Sequence, residues 1–232
     1  MQITALETIT FDPESALTDT ERDIRITLLR VHTDEGTMGL GETLPLAAAE
    51  GALVHGPIAD HALGRDPRDL PAIRDDLATY FNFYGHAGAE YRALSALDIA
   101  CWDLKGRAAG EPIYRLLGGA AREEIPAYNT CYDLEHDFME EPVALAESLV
   151  AQGITSMKIW PFDEFAEKTR GQRISSSDLD AGVEPLARIS EAVPEMEVAI
   201  EGHGLWALTP AKRIARAVEP YDPVWVEDLI RK

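Results

Sequence analysis

The sequence predicts an α/β protein in which an α+β domain precedes the first part of a (β/α)8-type barrel. Two observations support this fold class. Short alternating segments near the N-terminus are followed by long stretches of helical period, and after residue 118 apolar strand-like segments alternate with helical ones. Strands separated by helices are typical of crossover connections in a parallel sheet. We therefore expect two domains, residues 1–118 and residues 119–232.

The first 45 residues have the pattern of an antiparallel meander. Alternation predicts strands over residues 3–9, 24–31 and 38–42, and the Asp-Glu-Gly turn at residues 34–36 separates the last two. Residues 18–23 are polar, and residues 46–56 are rich in alanine and glycine. We expect both of these segments to be loops.

Residues 58–106 change to a helical period. Leu94, Leu97, Cys101 and Leu104 are spaced as a stripe that faces a core. Gly106 and the Gly-Glu-Pro sequence at 110–112 are expected to stop this helix. The second cysteine, Cys131, forms no CxxC pair with Cys101, so both are expected to be reduced core thiols.

Strands and helices then alternate to the end of the chain. We expect strands over residues 125–130, 155–160, 195–200 and 223–227, and helices over residues 142–152, 175–192 and 209–219. The Ser-Ser-Ser-Asp sequence at residues 175–178 offers N-cap side chains to the second of these helices, and Thr209 with Pro210 is predicted to start the last one. A complete (β/α)8 barrel needs about 250 residues. Residues 119–232 can therefore hold only about the first four units, the N-terminal half of such a barrel.

The formal net charge is −20, from 41 acidic and 21 basic residues. Such a protein repels phosphates, which argues against nucleic acid or an anionic membrane as a partner. No apolar run approaches the roughly 20 residues needed to cross a bilayer, and residues 1–5 do not resemble a leader, so a cytoplasmic location is expected. A salty cytoplasm, which screens self-repulsion, is a further hypothesis.

Charged residues stand at the ends of three predicted strands. Lys158 lies in the second, Glu201 ends the third and Glu227 ends the fourth. The two glutamates are 26 residues apart (227 − 201), the repeat of a βαβ unit, which places both at the carboxyl edge of the sheet. Two carboxylates at neighbouring strand ends can bind Mg²⁺. The alternative is that each merely pairs with an arginine.

Lys158 and His203 are the candidate catalytic residues. A lysine in a low dielectric has a lowered pKa and can act as a base, or it can hold a substrate carboxylate; an ion-paired lysine is the alternative. His203 shares a strand face with Glu201 and can act as an acid or base, or simply form a pocket wall. Candidate substrate-binding residues are Trp160, Asn129 and Trp206, whereas core packing explains Trp225.

Residues 93–119, from Ala-Leu-Ser-Ala-Leu-Asp to Arg-Leu-Leu-Gly-Gly, closely resemble the signature that ends the capping domain in the mandelate racemase/muconate lactonizing enzyme family of the enolase superfamily. Lys158, Glu201 and Glu227 occur in the order and spacing of that family's lysine motif and first two metal ligands. The resemblance covers essentially the whole chain.

The resemblance implies a capping (lid) domain and a (β/α)8 barrel, with Mg²⁺ bound by three carboxylates. The metal would stabilise the enediolate formed when a base removes the proton α to a substrate carboxylate. Segments 18–23 and 46–56 would close over the substrate, with Trp160 shaping the floor of the site. A homo-oligomer is implied by analogy.

Three departures from the family pattern bear on the reaction. The usual Lys-x-Lys motif is Lys158-Ile159-Trp160 here, which removes the usual base. Glu201 stands where aspartate is common, and it reaches one methylene further. The third metal ligand and any later base would follow residue 232.

These features lead to an interpretation as a Mg²⁺-dependent acid-sugar dehydratase. The substrate would be an aldonate or aldarate, and the product a 2-keto-3-deoxy acid. Glu201 and Glu227 would hold the metal, Lys158 would contact the carboxylate or the enediolate, and His203 would protonate the departing hydroxide. A racemase, epimerase or cycloisomerase is the alternative within the superfamily, and a non-catalytic truncated subunit is the alternative outside enzymes.

Overall fold

The computed structural model describes residues 1–11, 25–85, 87–132 and 135–231. They form two compact units, Met1–Glu123 and Glu124–Lys232. The predicted loop at residues 18–23 lies outside the described residues.

The first unit begins with a three-stranded antiparallel sheet in the order β1-β2-β3. The strands are β1 (Ile3–Phe11), β2 (Ile26–Thr33) and β3 (Met38–Thr43). Burial alternates along β2, where Leu29 and Val31 face the core. The meander predicted from alternation is confirmed, because a sheet with one covered face buries every second residue.

Helices complete this unit. They are α1 (Ala47–Leu53), α2 (Ala59–Ala62), α3 (Leu70–Phe81), α4 (Ala89–Ala109) and α5 (Ile113–Leu116), with a π-helical segment at Val54–Ile58 and a 3-10 turn at Pro67–Asp69. The prediction that residues 46–56 form a loop is wrong. Alanine is the strongest helix former, and the π-helical segment absorbs the break at Gly56 and Pro57.

Helix α4 is the central element of the first unit. Its predicted stripe is confirmed, since Leu94, Leu97, Cys101 and Leu104 are all buried. The helix continues past Gly106 to Ala109 and ends at Gly110, whose φ of 66° is the left-handed conformation that glycine adopts without strain.

The second unit contains a parallel sheet in the order β4-β5-β6. Its elements are α6 (Pro142–Ala151), β4 (Ser156–Ile159), α7 (Asp163–Thr169), α8 (Ser176–Ala192), β5 (Glu197–Glu201), α9 (Leu208–Val218) and β6 (Val226–Glu227), with a 3-10 turn at Glu219–Tyr221. Ser175 caps α8 as predicted, because its hydroxyl accepts a hydrogen bond from the Asp178 N–H at 3.0 Å.

Three local predictions in this unit need correction. The strand expected at residues 125–130 is reduced to one bridge between Asn129 and Met157, because Pro126 has no N–H to donate and the segment before Asn129 is exposed. The strand expected at 223–227 is only the two residues of β6. Helix α9 begins two residues earlier than expected, with Ala207 rather than Thr209 at the N-cap.

The core of the second unit lies between the sheet and its helices. It includes Met157 and Ile159 of β4 and Ile200 of β5. Cys101 and Cys131 are free and buried, and burial raises the pKa of each thiol to about 12. Among the described residues, no helix combines the length and the apolar character that a membrane crossing requires.

Candidate active site

A charged cluster lies at the carboxyl ends of the three parallel strands. Lys158 comes from β4, and Glu201 and Glu227 occupy paired positions at the ends of β5 and β6. The Lys158 Nζ lies 3.1 Å from Glu201 Oε2 and 2.8 Å from Glu227 Oε2. One ammonium therefore bridges two carboxylates that are 26 residues apart in the sequence (227 − 201).

Strand alternation explains why these side chains meet. Met157 and Ile159 belong to the core of the unit, so Lys158 between them points to the opposite face of β4. The side chains of Lys158 and Glu201 are 9% and 7% exposed, whereas that of Glu227 is 40% exposed. The cluster thus has one buried side and one side open to solvent.

The charges in the cluster stabilise one another. Burial alone would lower the pKa of Lys158, but hydrogen bonds to Glu227 and Glu201 outweigh burial and raise it. Hydrogen bonds from Lys158 and from the Trp225 indole N–H, at 3.2 Å, lower the pKa of Glu227. The expectation of a lowered pKa for Lys158 is therefore wrong, because two carboxylates favour the charged form.

His203 follows β5 by two residues and adopts a φ of 46°. Its backbone N–H donates to Glu201 Oε1 at 2.8 Å, and its ring Nδ1 lies 2.6 Å from Asp163 Oδ2. The hydrogen bond with Asp163 raises the pKa of His203. An imidazole beside two carboxylates is thus biased toward the protonated form, which can donate a proton.

Trp160 lies beside this histidine. Its ring packs edge to face with Phe138 at a centroid distance of 4.8 Å and with His203 at 5.8 Å. The Tyr132 ring lies at a centroid distance of 6.0 Å from Trp160 in a tilted arrangement. The half-buried Trp160 therefore forms an apolar wall next to the histidine.

Two predicted substrate-binding residues, Trp206 and Asn129, have side chains that do not join the charged cluster, although the Asn129 backbone pairs with β4 beside Lys158. Trp206 is fully buried in the core of the second unit, so it does not present its ring to solvent. Asn129 is half-buried, and its side-chain carbonyl accepts a hydrogen bond from the Cys131 N–H at 2.6 Å. Neither side chain is hydrogen-bonded to the charged cluster in the described structure.

Sequence reasoning missed two contributors to the site. Asp163 begins α7, four residues after the end of β4, and its place as the polar residue that closes the apolar segment 159–163 was the available signal. Tyr128 packs on Trp225 at 4.8 Å and lies 5.8 Å from the Lys158 Nζ. Trp225 is half-buried and bonded to Glu227, so it supports the cluster rather than only filling the core.

The residues present match part of the ligand set that a magnesium ion takes in proteins. Two carboxylates already converge on a positive charge, and Mg²⁺ is commonly bound by one or two carboxylates together with water and substrate oxygens. Within the described ranges, no group of three or more His, Cys, Asp or Glu side chains comes together as a metal cluster. Glu201 and Glu227 are thus the two carboxylates of the described chain that would hold such an ion.

Comparison with known families identifies the chain. Residues 3–118 match the model of the mandelate racemase/muconate lactonizing enzyme N-terminal domain, which is half of the chain. The chain belongs to this family. Residues 141–232 match the model described as enolase C-terminal domain-like. The expected fold class is therefore confirmed as an N-terminal capping domain followed by part of an enolase-type barrel.

Two relatives of this chain are named dehydratases. The chain is 32% identical over 206 residues to a D-gluconate dehydratase of Thermoproteus tenax, covering 87% of this chain and 40% of the relative. It is 30% identical over 203 residues to a D-galactonate dehydratase of Klebsiella pneumoniae (strain 342), covering 86% of this chain and 50% of the relative. The chain thus spans about half the length of these curated relatives.

Solved structures agree with the family assignment. An enolase of the mandelate racemase subgroup from Agrobacterium tumefaciens is 44% identical with a TM-score of 0.86, covering 100% of this chain and 59% of that one. A racemase from Streptomyces coelicolor A3(2) with bound magnesium is 25% identical with a TM-score of 0.80, covering 98% of this chain and 62% of that one.

Proposed function

We propose that this chain carries part of the active site of a Mg²⁺-dependent acid-sugar dehydratase. The substrate would be an aldonate or aldarate, and the product a 2-keto-3-deoxy acid. The observation that carries the proposal is the convergence of Lys158, Glu201 and Glu227 at the carboxyl edge of the parallel sheet, with His203 hydrogen-bonded to the same cluster. The names of the two dehydratase relatives support an acid sugar as the substrate.

Glu201 and Glu227 would hold the metal ion. Bound there, Mg²⁺ would supply positive charge that favours the negative charge developing on the substrate carboxylate as the α-proton is removed. The His203 N–H occupies Glu201 Oε1, whereas Oε2 of Glu201 and Oε2 of Glu227 both accept from the Lys158 ammonium, which would have to release them for the ion to bind. Glu201 would therefore be oriented for binding before any ligand arrives.

Lys158 would bind the substrate carboxylate or the enediolate as an ammonium. A fixed positive charge stabilises an anion more as the negative charge grows. Because tryptophan stands at position 160, where the family motif has the lysine that acts as base, proton abstraction is assigned to no residue of the described chain.

His203 would protonate the departing 3-hydroxyl group. Hydroxide is a poor leaving group, and a positioned acid of suitable pKa contributes about 10²–10⁴-fold to such a step. Trp160 would cover one side of the imidazole and limit the access of water to it.

The test is a screen of aldonates and aldarates with the complete protein in Mg²⁺, in which 2-keto acid is measured. Glu201→Gln is expected to weaken Mg²⁺ binding and abolish turnover. The matched control is Glu197→Gln at the exposed start of the same strand, which should change neither.

Two outcomes would count against the proposal. Unchanged Mg²⁺ affinity and turnover in Glu201→Gln would remove the metal-ligand role. Exchange of the α-proton for solvent deuterium without any 2-keto acid would favour the racemase or epimerase alternative instead.

A further inference from the structure

Asp163 and His203 form a pair that joins two separate elements of the second unit. Asp163 is the first residue of α7, and His203 lies 40 residues later, just after β5. The Asp163 Oδ2 lies 2.6 Å from the His203 Nδ1. The Asp163 side chain is 22% exposed, and that of His203 is 47% exposed.

In the described part of the chain, the carboxylate of Asp163 has a single side-chain hydrogen-bond partner. Its second oxygen, Oδ1, is buried without a hydrogen bond, so within the described ranges His203 is its only side-chain contact of this kind. A buried carboxylate oxygen without a partner is costly, and the remaining oxygen must compensate through a strong interaction. The hydrogen bond between Oδ2 and Nδ1 therefore holds both the Asp163 carboxylate and the His203 ring in position.

Three contacts fix the imidazole of His203. Its backbone is tied to Glu201 Oε1, its ring edge packs against Trp160 at 5.8 Å, and its Nδ1 is held by Asp163. Among the described residues, none hydrogen-bonds to Nε2. Only one ring nitrogen thus remains available to a ligand.

We infer that Asp163 is a positioning residue, which holds the proton of His203 on Nδ1 and leaves Nε2 as the nitrogen that exchanges a proton with the substrate. The inference rests on the proposed function for the substrate-side role of His203. It concerns a residue that touches the histidine and not the reacting atoms.

The chemistry follows from the two tautomers of imidazole. An ionised carboxylate can only accept a hydrogen bond, so Asp163 selects the form with the proton on Nδ1. During elimination, the electron pair left at the α-carbon forms the new C=C bond and the C3–O bond breaks toward oxygen. The oxygen takes the Nε2 proton and leaves as water. The neutral ring that results is already the tautomer that Asp163 stabilises, so no rearrangement is required.

A second histidine–carboxylate pair in the chain shows what an ordinary surface contact looks like. His32 Nε2 lies 3.0 Å from Glu7 Oε2, and these side chains are 40% and 45% exposed. Glu7 also pairs with Arg30 at 3.6 Å. The Glu7 carboxylate is shared between His32 and Arg30, and the side chains are exposed to solvent. Glu7 is therefore the matched control for Asp163.

The test is ¹⁵N NMR of the histidine rings in the complete protein, for the wild type, Asp163→Asn and Glu7→Gln. We expect the neutral wild-type His203 to carry its proton on Nδ1. In Asp163→Asn the new amide can donate to Nδ1, so the proton should move to Nε2, as amide replacement of the aspartate does in serine protease triads. Glu7→Gln should leave the His203 signals unchanged.

Activity gives an independent measurement. Asp163→Asn is expected to lower kcat for elimination by about 100-fold or more, while exchange of the substrate α-proton with solvent deuterium continues. A neutral wild-type His203 ring that carries its single proton on Nε2, or an Asp163→Asn variant with an unchanged tautomer and unchanged kcat, would overturn the inference.

The tautomer measurement also separates this inference from the proposed function. If no acid sugar is dehydrated but the tautomer switches as expected, the proposed function fails and the positioning role stands. If Asp163→Asn does not fold, the wild-type spectrum alone still decides, because a neutral His203 ring with its single proton on Nε2 is incompatible with the role assigned to Asp163.

Discussion

At the scale of single residues, Lys158 controls the candidate site. Its ammonium lies between Glu201 and Glu227 and offsets the repulsion of two negative charges that share one edge of the sheet. The alternation of β4 brings a long cationic side chain to this edge, and its nearly complete burial makes the interaction specific. A substitution at this position therefore leaves two carboxylates facing each other without a cation.

We expect Lys158→Met to lower thermal stability in EDTA by an amount equivalent to about 1–3 kcal/mol, since a buried charge loses its partner. Added Mg²⁺ should restore more stability to the variant than to the wild type, because a divalent cation can neutralise the same carboxylates. Thermal unfolding followed by circular dichroism measures both effects.

The matched control is Lys168→Met. Lys168 pairs with Glu164 along the surface of α7, where both side chains are exposed, and such pairs contribute little. If Lys158→Met unfolded at the wild-type temperature in EDTA, the bridging ammonium would have no role in holding the site together.

At the scale of elements, the contact between β3 and α4 shapes the first unit. Gly39 and Gly41 occupy alternate buried positions of β3. A Cβ at Gly41 would overlap the carbonyl oxygen of Ala96, and one at Gly39 would overlap that of Ala100. The strand backbone therefore lies directly on the small-residue face of the helix, an approach that only glycine allows.

Gly41→Ala is expected to destabilise the protein by about 1–3 kcal/mol, because helix and strand must separate to admit the methyl group. Gly51→Ala in α1 is the control, since its Cβ would meet no atom within 4 Å. That variant should stabilise the helix by up to about 1 kcal/mol, as alanine replaces glycine. Urea unfolding measures both, and equal effects of the two variants would contradict the close packing of β3 on α4.

At the scale of the whole molecule, the excess of acidic residues affects stability through self-repulsion. A net charge of −20, from 41 acidic and 21 basic residues, places a compact chain under self-repulsion. Many surface ion pairs are present, including Arg65 with Asp76 at 2.6 Å and Arg107 with Asp103 at 2.9 Å. Exposed pairs of this kind stabilise weakly, so they do not offset the excess of negative charge.

We therefore expect the melting temperature to rise between low and molar KCl. Most of the rise should occur by a few tenths molar, because the Debye length is already about 10 Å at 0.1 M. Scanning calorimetry in a KCl series measures it, with sucrose at matched osmolality as the control for solvent exclusion. A melting temperature that stays constant or falls with KCl would refute the effect of self-repulsion.

The sequence by itself determined the features that depend on local pattern. The meander, the buried stripe of α4 and the cap of α8 follow from residue periodicity and capping chemistry, whereas helix α7 was not predicted and the strand expected at residues 125–130 is a single bridge. The strand-end positions of Glu201 and Glu227 also followed, because parallel strands present their carboxyl ends at one edge. The roles of these residues in metal binding and catalysis remain predictions.

Only the tertiary structure decided which side chains meet. It raised the pKa of Lys158, buried Trp206, and paired His203 with Asp163 across 40 residues. The structure also shows that residues 47–53 form a helix and that the strand expected before α6 is a single bridge at Asn129. Burial, pKa and hydrogen-bond partners depend on groups that are distant in the chain, and local pattern carries no information about the distances between them.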